Sequence, residues 1–342
     1  MVRTASNPPR RHEDAKNHEE ELRVLEQRSQ EPAVRDRVYL AGYLLLAGIL
    51  LFLGRDFLQS SVVITWGLAF GGTTVAGVLF VLSNRLRLQL QASRHELARK
   101  EAELSFALEV QKALFPRQLP CNCGLEFSAV CVPARGISGD FYDVIRLREG
   151  RLAFGIADVS GKGVPAAILM ANLQAMLRIF SETNSSPAEL CAQLNHHLHE
   201  VTEPSRFATF FYAQWDPVRR EIHYVNAGHN PPILLGSDGS QRLSTGGFPL
   251  GLFPAAIFDV GHISLQTGDI LVLYSDGITE ASGPKDEEFG EVRLEALVAG
   301  RRTESLKKVQ EAVLEAVGRW SGKEREEDDM TLVIVRATGG AI

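Results

Sequence analysis

The chain has 342 residues, of which 45% are hydrophobic and 23% are charged, and its formal net charge is −6 at pH 7. This length and composition exclude collagen-like, low-complexity and wholly disordered proteins, and they suit two or so folded units. The acidic balance argues against a general nucleic-acid-binding protein, and four cysteines are too few for a disulfide scaffold. We therefore expect no nucleic-acid partner.

The first 37 residues are strongly charged. They contain eight basic and eight acidic residues, together with Pro8 and Pro9 and few apolar side chains. A segment of this composition lacks the apolar surface that a folded core requires. We therefore predict a solvated cytoplasmic tail over residues 1–37.

Two long uncharged segments follow this tail. Residues 38–54 and 57–84 provide 17 and 28 consecutive uncharged residues, separated by Arg55 and Asp56. Because about 17–25 apolar residues form one membrane-spanning helix, the segments predict a transmembrane hairpin over residues 38–83. Arginines flank the hairpin on both sides and place both of its ends in the cytoplasm by the positive-inside rule. A buried hairpin of a soluble protein is the alternative interpretation.

A helical linker is predicted over residues 84–118, because the chain from Asn84 to about Phe115 is rich in Leu, Ala, Glu, Arg and Gln and contains no Gly or Pro. Leucines recur there at heptad spacing, which indicates a short coiled-coil tendency. These residues are Leu90, Leu97 and Leu104. Such a helix is either a spacer or a route for a signal from the membrane.

A G-x-x-x-G step formed by Gly67 and Gly71 lies in the second apolar segment. Small residues at this spacing allow close helix approach, either within the hairpin or between two chains. Together with the heptad leucines, the step leads us to expect a homodimer whose arrangement controls activity.

Residues 119–338 alternate strand-like and helix-like segments. Tight turns such as Asp216-Pro217 separate several of the strand-like segments and favour antiparallel pairing. The mixture predicts an α+β domain built in layers.

Four aspartates in this domain stand in or beside apolar, strand-like segments. Asp140 lies in SGDFYD, Asp158 ends FGIAD, Asp276 follows LVLYS, and Asp328 precedes DMTLVIV. Ending a buried strand with a carboxylate costs hydration unless the charge is paired or binds a cation. Mg²⁺ and Mn²⁺ prefer oxygen ligands, and two ions about 3.5–4 Å apart can activate water and clamp a phosphoryl group. For any single aspartate, ordinary turn chemistry is the alternative.

Eight motifs, in this order, resemble the metal-dependent PPM (protein phosphatase 2C-like) serine/threonine phosphatases. The resemblance is closer to their bacterial branch, the sporulation stage II protein E and sigma-factor-regulator phosphatases. The motifs are GISGDFYD, FGIADVSGKGVPAA, ATFFYAQWD, YVNAGHNPP, GGFPLGL, LVLYSDGITEA, EEFGEVRL and DDMTLVIV. LEVQKALFP also resembles the helix before that domain in membrane-bound members. The resemblance covers residues 104–337 and implies a layered α-β-β-α sandwich.

Carried over motif by motif, the resemblance assigns catalytic metal-binding roles to Asp140, Asp158, Asp276 and Asp328, with the backbone carbonyl of Val159 as a further ligand. It implies two Mn²⁺ or Mg²⁺ ions and hydrolysis of phosphoserine or phosphothreonine by metal-activated water in one step. The implied substrate is a phosphorylated anti-sigma-factor antagonist or a similar signalling protein. The implied location is the cell membrane, with the phosphatase domain in the cytoplasm.

Other polar residues near these motifs receive secondary interpretations. Arg135, five residues before Asp140, is a candidate for holding the phosphate, with an ordinary surface arginine as the alternative. Asp143 and Asp329 are expected to support the site or its turns. His229 is expected to contribute to loop structure near the site.

Several other patterns do not predict a site. The turn Ser160-Gly161-Lys162-Gly163 lacks the spacing of a P-loop. None of the four cysteines is followed by arginine at the spacing that cysteine phosphatases use. Cys121 and Cys123 are interpreted as reduced thiols, and the histidines of residues 196–199 as part of a solvated helix face.

Two other functions remain open on the sequence. One is a non-catalytic membrane adapter that uses a phosphatase-like domain to bind a partner, which a measurement of metal binding would distinguish. The other is a two-metal hydrolase that acts on nucleotides, which a panel of substrates would distinguish.

Overall fold

The computed structural model describes residues 39, 41–52, 61–120, 124–134, 136–183, 186–203, 205–322 and 328–339. The chain divides into two compact units, Met1–Glu96 and Leu97–Ile342. The predicted tail over residues 1–37 lies outside the described residues, as do Arg135, Cys121 and Cys123.

The described part of the first unit is helical: it contains α1 (Ala41–Phe52) and the first part of α2 (Ser61–Leu114), which continues into the second unit. The two helices are in contact, since the Tyr43 hydroxyl lies 3.2 Å from Thr73 Oγ1 and its ring packs on Phe70. Large apolar side chains on α2 remain exposed, among them Trp66 and Leu68. A membrane would cover such side chains, whereas water would not.

Helix α2 is continuous from the second apolar segment through the linker, because no glycine or proline interrupts it after Gly77. The stretch Val62–Leu114 contains an 18-residue segment that is apolar enough to cross a membrane, with a mean hydropathy of 1.7. The helix Val164–Thr183 passes the same test at 1.4, although it packs on the core of the second unit. Hydropathy alone is therefore weak evidence that a helix crosses a membrane.

The described residues of the second unit form two β-sheets. The first sheet has the strand order β1-β11-β10-β6-β7, and the second has the order β2-β3-β4-β5-β8, with β9 paired to β5. The strands are β1 (Leu125–Val132), β2 (Phe141–Arg146), β3 (Leu152–Val159), β4 (Ala208–Asp216), β5 (Glu221–Ala227), β6 (Ile233–Gly236), β7 (Gly239–Arg242), β8 (Gly246–Gly247), β9 (Gly261–Ser264), β10 (Ile270–Tyr274) and β11 (Met330–Ala337).

Among the described residues that follow α2, five α-helices belong to this unit, and four of them cover the outer faces of the sheets. Helices α3 and α4 pack on the second sheet, whereas α6 and α7 pack on the first. Their bounds are α3 (Val164–Thr183), α4 (Pro187–Val201), α5 (Asp276–Thr279), α6 (Gly290–Ala299) and α7 (Leu306–Ser321).

The hydrophobic core lies in three layers, because successive side chains of a strand point to opposite faces. In β11, Val333 and Val335 point into the cluster between the two sheets, where they join Phe154 and Trp215 of the second sheet. The intervening Ile334 belongs instead to the cluster beneath α6 and α7. The layers are helix, sheet, sheet and helix, so the predicted α-β-β-α sandwich is confirmed.

Candidate metal centre

The first pair of predicted ligands lies at one end of the second sheet. Strands β2 and β3 are antiparallel with Phe141 opposite Ala157, so Asp140 and Asp158 are brought together where β2 begins and β3 ends. A Cβ atom on Gly139 would lie 3.0 Å from the Val159 carbonyl oxygen. The loop before β2 therefore passes directly against the backbone of Val159.

The second pair lies at one end of the first sheet. Strands β10 and β11 are antiparallel with Tyr274 opposite Leu332, so Asp276 leaves β10 where Asp328 enters β11. A Cβ atom on Gly277 would lie 2.2 Å from the Asp329 carbonyl oxygen. Only glycine fits at this position, and the two loops are held in contact.

Ser275 locks the ends of β10 and β11 together. Its hydroxyl donates to the Asp329 carbonyl at 3.1 Å and accepts the Thr331 N–H at 2.8 Å. Ser275 is fully buried, so both hydrogen bonds are shielded from water. The placement of Asp276 next to Asp328 is therefore fixed by strand pairing and by a buried side chain.

The four carboxylates form one electrostatic group across the two sheets. Burial first, and then the charge of Asp276, raises the pKa of Asp158 to about 6. Burial and the charge of Asp158 raise the pKa of Asp140 well above its usual range. Burial and the charge of Asp328 likewise raise the pKa of Asp276. Clustered acids that oppose each other's ionisation favour a bound cation.

The chemistry of these residues fits a hard divalent ion. Asp140 is 2% exposed, and its Oδ2 atom has no hydrogen-bond partner among the described residues. A buried carboxylate oxygen without a partner is costly, and an all-oxygen donor set is the one that Mg²⁺ and Mn²⁺ prefer. The predicted ligands and the donor chemistry therefore agree.

Within the described ranges, no group of three or more His, Cys, Asp or Glu side chains stands close enough to hold a metal ion. Asp328 is turned toward Lys162, whose Nζ lies 2.7 Å from Asp328 Oδ2. Carboxylates repel one another, and the half-exposed Lys162 ammonium group offsets the charge of the half-exposed Asp328. The four aspartates therefore interact electrostatically across the two sheets but do not converge on a single point, and Asp328 is paired with Lys162.

Asp329 holds the loop that carries Asp140. Its Oδ1 accepts the Ala134 N–H and its Oδ2 accepts the Gly139 N–H, both at 2.9 Å. Both oxygens are thereby used within the protein, which matches the expected supporting role.

Asp143 is 1% exposed and paired with Arg178, whose Nε lies 2.7 Å from Asp143 Oδ2. A second hydrogen bond joins Arg178 Nη2 to Asp143 Oδ1 at 3.2 Å. This two-point pair ties β2 to α3. Asp143 therefore stabilises the sandwich through its ion pair with Arg178.

Sequence reasoning missed Gln111, which lies near the end of α2 and is 4% exposed. Its Nε2 donates to the Ser138 carbonyl at 2.7 Å, and its Oε1 accepts the Ser138 N–H at 2.9 Å. The Ser138 hydroxyl in turn accepts the Asp140 N–H at 2.9 Å. The linker helix is therefore hydrogen-bonded to the residues that position Asp140.

His229 is buried and neutral. Burial lowers its pKa to about 4, and its Nδ1 lies 2.8 Å from Thr209 Oγ1. Its backbone N–H donates to Asn226 Oδ1 at 2.8 Å. These contacts agree with the expected role in loop structure.

The histidines of α4 point to separate partners. His197 contacts Asn172, His199 contacts the Gly251 carbonyl, and His196 lies near Glu200. They do not converge on one point, which agrees with the interpretation that they form no ligand cluster.

Comparison with known proteins identifies the class. Residues 148–338 match the family described as Stage II sporulation protein E (SpoIIE). The chain belongs to this family, and its second unit is a SpoIIE-type PP2C phosphatase domain.

Two curated relatives illustrate the similarity. Protein IcfG of Synechocystis sp. is 31% identical over 265 residues, which cover 68% of this chain and 41% of IcfG. Phosphoserine phosphatase RsbU of Bacillus subtilis is 28% identical over 241 residues, which cover 69% of this chain and 70% of RsbU. The chain thus spans less than half of IcfG and more than two thirds of RsbU.

Solved structures share the fold. The RsbU and RsbW domains of Rv1364c from Mycobacterium tuberculosis align with a TM-score of 0.58 and 26% identity, over 66% of this chain and 63% of that chain. The SiaA-PP2C domain of Pseudomonas aeruginosa aligns with a TM-score of 0.64 and 20% identity, over 70% and 98% of the two chains. At 20% identity, the similarity to the SiaA-PP2C domain supports a shared fold and nothing further.

Proposed function

We propose that the chain is a metal-dependent phosphatase that hydrolyses phosphoserine or phosphothreonine in a protein substrate. One observation carries this proposal. Two pairs of aspartates from the ends of two facing sheets act on one another's ionisation, and Asp140 holds a buried oxygen without a partner. The relative RsbU, named a phosphoserine phosphatase, supports the same reaction.

In this proposal Asp140, Asp158, Asp276 and Asp328, with the Val159 carbonyl, would hold two Mn²⁺ or Mg²⁺ ions. The ions would supply an activated water and neutralise the charge of the phosphoryl oxygens. Other residues of the chain support these ligands. Asp329 and Gln111 fix the loop that precedes β2, and Lys162 screens the charge of Asp328.

The substrate that we propose is a phosphorylated anti-sigma-factor antagonist or a similar small signalling protein. Similarity to RsbU and to a solved structure that joins RsbU and RsbW domains supports this choice. The competing functions are a non-catalytic adapter and a nucleotide hydrolase.

A substrate panel tests this proposal. With Mn²⁺ present, the full chain in detergent is expected to release phosphate from a phosphoserine protein and to leave nucleotides unchanged. Nucleotide turnover without phosphoprotein turnover would favour the nucleotide hydrolase. Saturable binding of a phosphoprotein without turnover of either class would favour the adapter.

We further propose that α1 and α2 anchor the phosphatase domain to the cytoplasmic face of the cell membrane. Their exposed apolar side chains and the arginines that follow at Arg85 and Arg87 support this location. The heptad leucines and the G-x-x-x-G step support a homodimer. We expect the chain to stay in the membrane pellet after alkaline carbonate extraction, and its release into the supernatant would contradict the anchor.

A further inference from the structure

A basic residue outside the metal-ligand motifs lies beside the centre. Arg206 belongs to the segment between α4 and β4, and this segment is bound to the loop that follows Asp158 and Val159. The Ser160 N–H donates to the Phe207 carbonyl at 2.9 Å, and the Phe207 N–H donates to Ser160 Oγ at 2.9 Å. These reciprocal hydrogen bonds hold Arg206 at the edge of the centre.

The arginine side chain lies within van der Waals range of the loop at position 161. Gly161 has a φ of +102°, and Arg206 Nη1 lies 3.7 Å from the point where a Cβ atom would stand. The turn needs glycine for its backbone conformation. The guanidinium group of Arg206 therefore lies against the loop between Val159 and Lys162.

The guanidinium group of Arg206 has no partner among the described residues. Within the part of the chain that the structure describes, it forms no ion pair or side-chain hydrogen bond. By contrast, Lys162 is paired with Asp328, and Arg178 is paired with Asp143. Arg206 is therefore a cation against the loop that follows Asp158 and Val159, and its donors remain available.

We propose that Arg206 binds the phosphoryl oxygens of the substrate and of the released orthophosphate. A guanidinium group presents two parallel N–H donors, which match two oxygens of a phosphate. This assignment gives the phosphate-binding role to Arg206 and not to Arg135, and it rests on the proposed phosphatase function. The ligand class is a phosphate monoester or inorganic phosphate.

The test compares Arg206→Gln with Arg206→Lys in the Mn²⁺-loaded full chain. Loss of a charged hydrogen-bond donor typically weakens binding by about 10- to 100-fold. We expect Arg206→Gln to lower kcat/KM for p-nitrophenyl phosphate by about that factor and to raise the inhibition constant of inorganic phosphate similarly. Arg206→Lys should lie between the wild type and Arg206→Gln. Mn²⁺ affinity, measured by calorimetry, should stay unchanged in both variants.

The matched control is Arg219→Gln, an exposed arginine in the turn between β4 and β5, at the opposite end of β4. This variant should match the wild type in every measurement. An unchanged phosphate inhibition constant in Arg206→Gln would overturn the proposal, and so would a parallel loss of Mn²⁺ affinity.

Direct calorimetric titration of inorganic phosphate separates this proposal from the proposed function. If the wild type hydrolyses nothing yet binds phosphate, and Arg206→Gln does not bind it, the site stands and the phosphatase assignment fails. If the wild type hydrolyses phosphate esters and both proteins bind phosphate equally, the role of Arg206 fails and the phosphatase assignment stands.

Discussion

Replacing Asp158 with asparagine is expected to lower metal-dependent turnover by about 10³-fold or more, because its carboxylate links the two halves of the centre. The charge of Asp158 interacts with Asp140 on its own sheet and with Asp276 on the facing sheet. An amide at this position removes a charged oxygen ligand while keeping the size of the side chain. The measurement is kcat at saturating Mn²⁺, together with calorimetric Mn²⁺ binding.

The control for this variant is Asp238→Asn, an exposed aspartate in the turn between β6 and β7. This variant removes the same charge at a position distant in sequence from the four predicted ligands. We expect its turnover to equal that of the wild type. Full activity of Asp158→Asn at saturating Mn²⁺ would contradict the assigned ligand set.

Replacing Gln111 with alanine is expected to weaken both the fold and the metal centre. The change leaves the buried Ser138 N–H and carbonyl without their partners, which costs about 2–4 kcal/mol of unfolding free energy. It also frees the loop before Asp140, and loss of such supporting contacts typically costs about 10- to 100-fold in metal affinity. Thermal unfolding and Mn²⁺ titration of the full chain measure the two effects.

An exposed glutamine of the same helix, Gln91, provides the matched control. Gln91→Ala should leave thermal stability and Mn²⁺ affinity unchanged. If Gln111→Ala lost stability but bound Mn²⁺ with wild-type affinity, the hydrogen-bonded path from α2 to Asp140 would be purely structural.

Much of the fold follows from local patterns in the sequence. Apolar runs such as the one in β11 predict strands that are buried on both faces, and the sandwich supplies a layer for each face. The positions of Asp158 and Asp276 at strand ends predicted a cation site before any tertiary contact was known. The ligand assignments themselves remain predictions, although the structure brings the four side chains to one end of the sandwich.

The supporting residues could not be predicted, because their roles depend on contacts between distant segments. Gln111 did carry a signal, since it continues the heptad of Leu90, Leu97 and Leu104 with a polar side chain. The pattern indicates a buried amide but does not identify its partner, Ser138, which lies 27 residues further along the chain. Arg206 carried no comparable signal, because only the pairing of Ser160 with Phe207 brings it to the centre.

The most direct test of the central claim is the Mn²⁺ dependence of phosphate release from a phosphoserine protein by the full chain, measured with the wild type and with Asp158→Asn. The four-aspartate centre predicts release that rises to saturation with Mn²⁺, stops when a chelator is added and is lost in the variant. Phosphate release that persists at the same rate without a divalent ion, or in Asp158→Asn, would contradict it.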